Sequence, residues 1–196
     1  MTTPLPFTWP YNLVYWTIHV WVFAPEILVV RRATRGVIPA EDHGSLRVVL
    51  ALGFVAMLAA FLLPFLVPWA TLPGNRVAWF CAGLITLLAG SLLRRHCFRE
   101  LGAFFTGAVT IQANHRVVDT GAYRWVRHPS YSAALLMTLG IAIAMGNWLG
   151  VAASFAIAFV AYAYRANVEE RALLDALGEP YAAFMEKRKR FIPLVY

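Results

Sequence analysis

A chain of 196 residues that is 60% hydrophobic and only 14% charged is not an ordinary soluble domain; its composition is that of a polypeptide dissolved in lipid, a polytopic membrane protein. A formal net charge of +7 would suit nucleic acid, but no basic segment is interleaved with aromatics along a groove-binding face, so a nucleic-acid partner is excluded as well. Residues 1–196 hold a single domain of about five spanning helices without a separate soluble catalytic domain, so an active site has to be assembled from helix ends and loops.

The N-terminus reads Met-Thr-Thr-Pro-Leu-Pro. It lacks a basic region and a small-residue cleavage site, so the first apolar stretch is expected to be retained. That stretch, 11–30, crosses about 30 Å of hydrocarbon at about 1.5 Å per residue. Trp9, Tyr11, Tyr15 and Trp16 at its start suit an interfacial aromatic belt. His19 and Glu26 lie seven residues apart, on one helical face, and intramembrane ionisable groups are functional candidates. The plainer reading has Glu26 reaching headgroup water while His19 bonds a neighbouring helix. Arg31, Arg32, Arg35 and Arg47 bracket a polar loop containing Gly36, Pro39 and Gly44. Further spans are predicted at 48–67 and 77–93, joined by the nearly uncharged turn Leu72-Pro73-Gly74-Asn75. After a long polar connection, 132–145 and 148–164 read as a tight helical hairpin about Gly146 and Asn147. Cys81 and Cys97 are too differently placed for a disulfide or metal site and are read as packing residues; no metal is expected.

Of the 17 lysines and arginines, all but Arg76 fall on one side if the N-terminus is outside and there are five spans. The positive-inside rule then puts the central polar stretch and the C-terminal segment in the cytosol. That segment, 165–187, carries Leu173, Leu174, Leu177, Tyr181 and Phe184 at spacings of three and four, one apolar stripe. Gly178-Glu179-Pro180 interrupts it, so two helical pieces with a bend are expected. The fold class is therefore all-α: a polytopic membrane protein of about five transmembrane helices plus a cytosolic C-terminal helical segment. Glu169 and Glu170, read near the start of that segment, would be favoured there by the helix macrodipole alone. The closing Lys187-Arg188-Lys189-Arg190 can hold anionic membrane lipids.

The residues 121–131 read Gly-Ala-Tyr-Arg-Trp-Val-Arg-His-Pro-Ser-Tyr: two arginines, a histidine, two tyrosines and a tryptophan in an otherwise alkyl chain. Extended to Val117, and followed by Glu169-Glu170, Gly178, Tyr181 and Arg190-Phe191-Ile192-Pro193, this order of pieces resembles the isoprenylcysteine carboxyl methyltransferase family, which belongs with the phospholipid methyltransferases among integral membrane enzymes. The first two spans carry no motif. The resemblance implies S-adenosylmethionine as cofactor, leaving S-adenosylhomocysteine, in a site made mainly by 112–131 and 165–193, with a lipophilic or lipidated acceptor entering from the bilayer. Carried over by position, His115, Gly121, Tyr123, His128, Tyr131, Glu169 and Glu170 would hold the cofactor. Arg127 and Arg190 would meet the acceptor or the cofactor carboxylate, and Arg127, Glu170 and Arg190 form the implied catalytic set. Two departures stand out: Ala133 where the family usually has glycine, and Arg188 where relatives commonly carry an aliphatic residue.

The chemistry of the residues agrees with that implication. A sulfonium cofactor with a ribose diol, an amino-acid end and an adenine wants carboxylate acceptors, a cation and flat rings, and Glu169, Glu170, the arginines, Tyr123, Trp125 and Tyr131 are of those types. The alternative for Arg124 and Arg127 is that they are topological anchors. The acceptor stays open between a carboxylate, as in isoprenylcysteine carboxyl methylation, and a phospholipid amine or a thiol. Membrane sterol reductases, which bind NADPH, carry a comparable Arg-His-Pro-x-Tyr stretch. A haem or quinone protein and a transporter fit less well, because only His19 is clearly intramembrane and no pair of broken inverted-repeat helices stands out.

Overall fold

The computed structural model describes residues 3–34, 42–111 and 115–192; the expectations resting on Arg35, Gly36, Pro39 and Pro193 lie outside the described residues. Among the described residues six α-helices follow in order: α1 (Tyr11–Thr34), α2 (Ser45–Leu66), α3 (Arg76–Leu101), α4 (Pro129–Met145), α5 (Trp148–Leu177) and α6 (Glu179–Lys187). The all-helical, membrane-embedded architecture expected from composition is what the chain adopts. α1, α2, α5 and α3 with its continuation to Phe104 are long and apolar enough to cross a membrane. The fourth predicted span, α4, is shorter, with 17 residues, about 25 Å of rise.

α4 is apolar on every side and therefore sits at the centre of the bundle, with Ala133, Leu135, Met137, Ile141 and Ala144 all buried. Hydrophobicity does not hold helices together in lipid, so close backbone contact has to. Glycines supply it. A Cβ on Gly83 of α3 would stand 2.4 Å from the Ala144 nitrogen, and one on Gly140 of α4 would stand 2.4 Å from the Leu87 nitrogen. Val22, Ala60, Leu87, Met137, Ile141 and Ala142 from four helices close the core around this seam.

Local chemistry sets the breaks. The Asn75 side chain accepts from the amides of Val77 and Ala78 at the start of α3, and Asn147 does the same for Gly150 at the start of α5, as N-capping residues do. Asn147 also donates to the Val67 carbonyl at 2.9 Å, tying the hairpin to the end of α2. Pro25 inside α1 has no N–H to offer the Trp21 carbonyl. Arg95 of α3 supplies a donor to that carbonyl at 2.8 Å and lays its guanidinium over the Trp21 ring.

Three expectations change. α3 runs past residue 93 to Leu101, and α5 is continuous from Trp148 to Leu177, because the hydropathy ends where the lipid ends while no backbone breaker appears before Gly178, at φ +60°. The expected bend is real and lies between α5 and α6. Glu169 and Glu170 thus fall about two turns before the C-terminal end of a 30-residue helix, far from the N-terminal turn at which the macrodipole favours anions, so that account of them fails. Cys97 is buried as a packing residue, whereas Cys81 is exposed on the outside of the bundle. Beyond α6 the tail turns back along the Arg-His-Pro segment. Val126 pairs with Lys189, the amides of Arg127 and His128 donate to the carbonyls of Lys189 and Arg190, and the Ser132 hydroxyl donates to the Phe191 carbonyl. Arg188 does not disturb this packing: it covers the Phe184 ring and donates to the Arg124 carbonyl.

Candidate active site

A cavity of about 390 Å³ opens where the polar ends of the helices meet the segments 105–111 and 115–118. Its two halves differ in chemistry. Phe23, Ile27 and Val30 of α1 with Val49 and Leu50 of α2 make an apolar side, and His115, Tyr123, Arg127, His128, Tyr131 and Glu169 make a polar one.

His128 owes its position to Pro129. A residue before proline is kept out of the helical region, and His128, at φ −126° and ψ 60°, ends the loop while Pro129 begins α4. One turn on, the Tyr131 ring stacks on the imidazole at 5.1 Å with 7° between planes. Glu169 and Glu170, consecutive on α5, point about 100° apart around the helix and so reach different sides of that imidazole. His128 Nδ1 lies 3.5 Å from Glu169, and Nε2 lies 3.0 Å from Glu170. Burial pushes the His128 pKa down, but the hydrogen bonds and charges of the two glutamates outweigh it and leave the pKa above the ordinary value. The Tyr131 hydroxyl donates to Glu169 at 2.5 Å.

The predicted residues separate into two groups. His115, Tyr123, Arg127, His128, Tyr131 and Glu169 face the cavity. Glu170 and Arg190 do not line it. Glu170 is 3% exposed and receives Arg190 through Nε and Nη2 at 3.1 and 2.5 Å, with Arg127 Nε 3.3 Å away. It clasps the tail to the Arg-His-Pro segment. Gly121, at φ +55°, is pressed against α3, where a Cβ would stand 2.7 Å from His96 Nε2; it shapes the turn and is not a cavity residue. Trp125 is 60% exposed, turned away under the Arg124 guanidinium. Ala133 is fully buried against α3.

Sequence reasoning missed Arg165 and Asp42. Arg165 donates to the Tyr131 hydroxyl (3.0 Å), Asp42 (3.3 Å), Ser45 (3.2 Å) and the Gly107 carbonyl (2.7 Å). Asp42 also accepts from Ser45 and from the amides of Leu46 and Val109. Burial raises its pKa, yet those bonds and the Arg165 charge overcome this and leave it lowered. The spacing of four from Arg165 to Glu169 was the available signal, since it puts both on one face of a helix; nothing marked Asp42. The ion pair of Glu26 with Arg94, at 2.6 Å, was also missed, and it replaces the headgroup role expected of Glu26. His19 is surrounded by the rings of Tyr15, Trp16, Phe23 and Phe61, and its Nδ1 has no partner among the described residues, so the expected bond to a neighbouring helix is not made through that atom.

Three buried atoms of cavity residues, Thr110 Oγ1, His115 Nδ1 and Arg127 Nε, make no hydrogen bond among the described residues, Arg127 Nε having only the Glu170 charge beside it, and burial pulls the His115 pKa down against the pull of Glu169. Unsatisfied buried donors and acceptors beside a carboxylate and stacked rings suit a polar, ring-bearing ligand. Among the described residues no group of three His, Cys, Asp or Glu side chains is placed to hold a metal.

The profile of the isoprenylcysteine carboxyl methyltransferase family matches residues 83–175. A rice protein (Oryza sativa subsp. indica) named "Probable protein-S-isoprenylcysteine O-methyltransferase" is 25% identical over 184 residues, covering 89% of this chain and 96% of its own length. Protein-S-isoprenylcysteine O-methyltransferase A of Arabidopsis thaliana is 25% identical over 188 residues, covering 94% and 90%. The solved structure of a eukaryotic intramembrane Ras methyltransferase superposes with a TM-score of 0.60 at 23% identity, over 74% of this chain and 52% of that one. This chain therefore spans about half of that protein, and the likeness is one of fold.

Proposed function

With residues 83–175 matching the profile of the isoprenylcysteine carboxyl methyltransferase family, we propose that this membrane protein transfers a methyl group from S-adenosylmethionine to the carboxylate of a lipophilic acceptor of the S-isoprenylcysteine type. The observation that carries the reading is the mixed lining of the cavity, with stacked rings and a carboxylate from 128–131 and α5 and alkyl groups from α1 and α2. Bound there, the cofactor supplies an electrophilic methyl on a sulfonium. Glu169 accepts from its ribose hydroxyls, Tyr131 and Tyr123 offer rings, and Thr110 and His115 meet its remaining polar edge. Arg127 offers a cation to a carboxylate. Glu170 and Arg190 act through position: they hold His128 and the tail against the site.

A carboxylate acceptor is already ionised at neutral pH, so no side chain need remove a proton. The protein's contribution is alignment and exclusion of water, and alignment alone can lower a barrier by roughly 7 to 11 kcal/mol. The alkyl walls on α1 and α2 receive the acceptor's hydrocarbon from the bilayer. The arginine and lysine distribution supports an N-terminus outside and a cytosolic active site, which impermeant thiol labelling of Lys187→Cys in sealed vesicles checks.

The deciding experiment incubates the protein in bilayers with methyl-labelled cofactor and an S-farnesylcysteine acceptor. Base-labile label is the ester expected; base-stable label means methyl transfer to nitrogen or sulfur and overturns the acceptor. Competition by S-adenosylhomocysteine and not by NADPH is expected, and the reverse would favour reductase chemistry.

A further inference from the structure

Two carboxylates line the cavity, Glu169 and Glu26, and only the first belongs to the polar wall. Glu26 shares its face of α1 with Phe23, Ile27 and Val30, the alkyl side, and it accepts from Arg94 Nε at 2.6 Å. Arg94 in turn anchors Nη1 on the Ser130 carbonyl at 2.8 Å, one residue before Tyr131, while its Nη2 makes no hydrogen bond among the described residues. The pair thus sits where the alkyl half of the cavity meets the polar half. The side chains are 13% exposed for Arg94 and 18% for Glu26, so Arg94 cannot be left without an anion at low cost, while Glu26 lines the cavity. Arg165, by contrast, has all three guanidinium nitrogens bonded within the protein.

The α1 backbone before Glu26 also lacks one helical bond. Pro25 leaves the preceding turn of α1 without its ladder bond at the Trp21 carbonyl, which Arg95 occupies from outside the helix.

We propose that Glu26 is a resident counter-ion: it neutralises Arg94 while no acceptor is bound, and the acceptor's own carboxylate displaces it. Glu26 is on this account a specificity-determining residue. An anionic head group exchanges with it and inherits Arg94, whereas a neutral head group leaves the original pair in place and gains nothing from the cation. The inference rests on the carboxylate acceptor proposed above.

The test measures equilibrium binding of N-acetyl-S-farnesylcysteine and of its carboxamide to the protein in phosphatidylcholine nanodiscs, for wild type, Glu26→Gln and Glu26→Asp. In Glu26→Gln the carboxylate probe is expected to bind roughly threefold to tenfold tighter, the range of a partly exposed ion pair, with the carboxamide unchanged. Glu26→Asp keeps the charge, retreats by one methylene and gives the same difference in smaller measure; it carries the test if Glu26→Gln lowers the melting temperature too far to assay. Equal shifts in both probes, weaker or unchanged carboxylate binding in the variants, or no carboxylate binding at all would overturn the counter-ion role. Methyl transfer is read separately: tighter carboxylate binding without transfer sinks the proposed activity alone, and transfer with indifference to Glu26 sinks this inference alone.

Discussion

Replacing Glu170 by glutamine leaves Arg127, His128 and Arg190 clustered around a neutral amide. Their nitrogens lie 3.3, 3.0 and 2.5 Å from the Glu170 carboxylate in the wild type. At an effective dielectric of about 20, a pair at such distances is coupled by about 5 kcal/mol. Desolvating Glu170 cancels much of that sum, and His128 can shed its proton once the anion is gone. Breaking a buried pair of this kind costs about 3 to 5 kcal/mol net, and the exposure of Arg190 and Arg127, 20% and 14%, argues for the lower figure. Charged to the docking of the tail, about 3 kcal/mol raises the undocked population more than a hundredfold. Trypsin should then cut at Lys189 and Arg190 in Glu170→Gln under conditions that leave the wild type intact, and S-adenosylhomocysteine affinity should fall by a similar factor while the helix content stays unchanged. A variant with a protected tail and undiminished affinity would show that Glu170 does not clasp the site.

The raised pKa of His128 fixes the sign of a pH effect. Its stabilising contribution is fully present below the ordinary histidine value of about 6.5 and is lost as pH rises through the raised value, so the melting temperature should fall as pH rises beyond about 6.5 in the wild type and stay flat in His128→Gln. Parallel profiles for the two proteins would refute this. Arg165→Met strands Asp42 among its neighbours and should cost about 3 to 5 kcal/mol, part of it recovered in Arg165→Met with Asp42→Asn; additive losses in thermal denaturation would deny the coupling. Gly140→Ala drives a methyl into the α3 backbone at Leu87 and should cost about 1 to 3 kcal/mol, while Gly53→Ala, with open space around it, should be neutral; equal melting temperatures would contradict the seam.

Composition and periodicity carry far here because lipid leaves a chain few options: every backbone amide has to be bonded within the protein, so apolar runs become helices. That is why the helical class, the apolar runs and the hairpin at Gly146 and Asn147 were legible, and why the polar stretch ending at Tyr131 stood out as the place for a charged ligand. Helix ends were less legible. Hydropathy reports where lipid stops, and α5 continues for more than three turns beyond that point because nothing in 165–177 breaks a helix.

What only tertiary structure decided is which partner each charge takes. Nothing in the order Glu169-Glu170 says that the first faces a cavity and the second a tail; that follows from the angle at which α5 passes His128. Asp42 and Arg165, 123 residues apart, meet because α2 packs along α5 and brings the residues just before α2 onto the side of α5. Patterns along a sequence record local preference, whereas an ion pair depends on distances set by packing volumes summed over several helices.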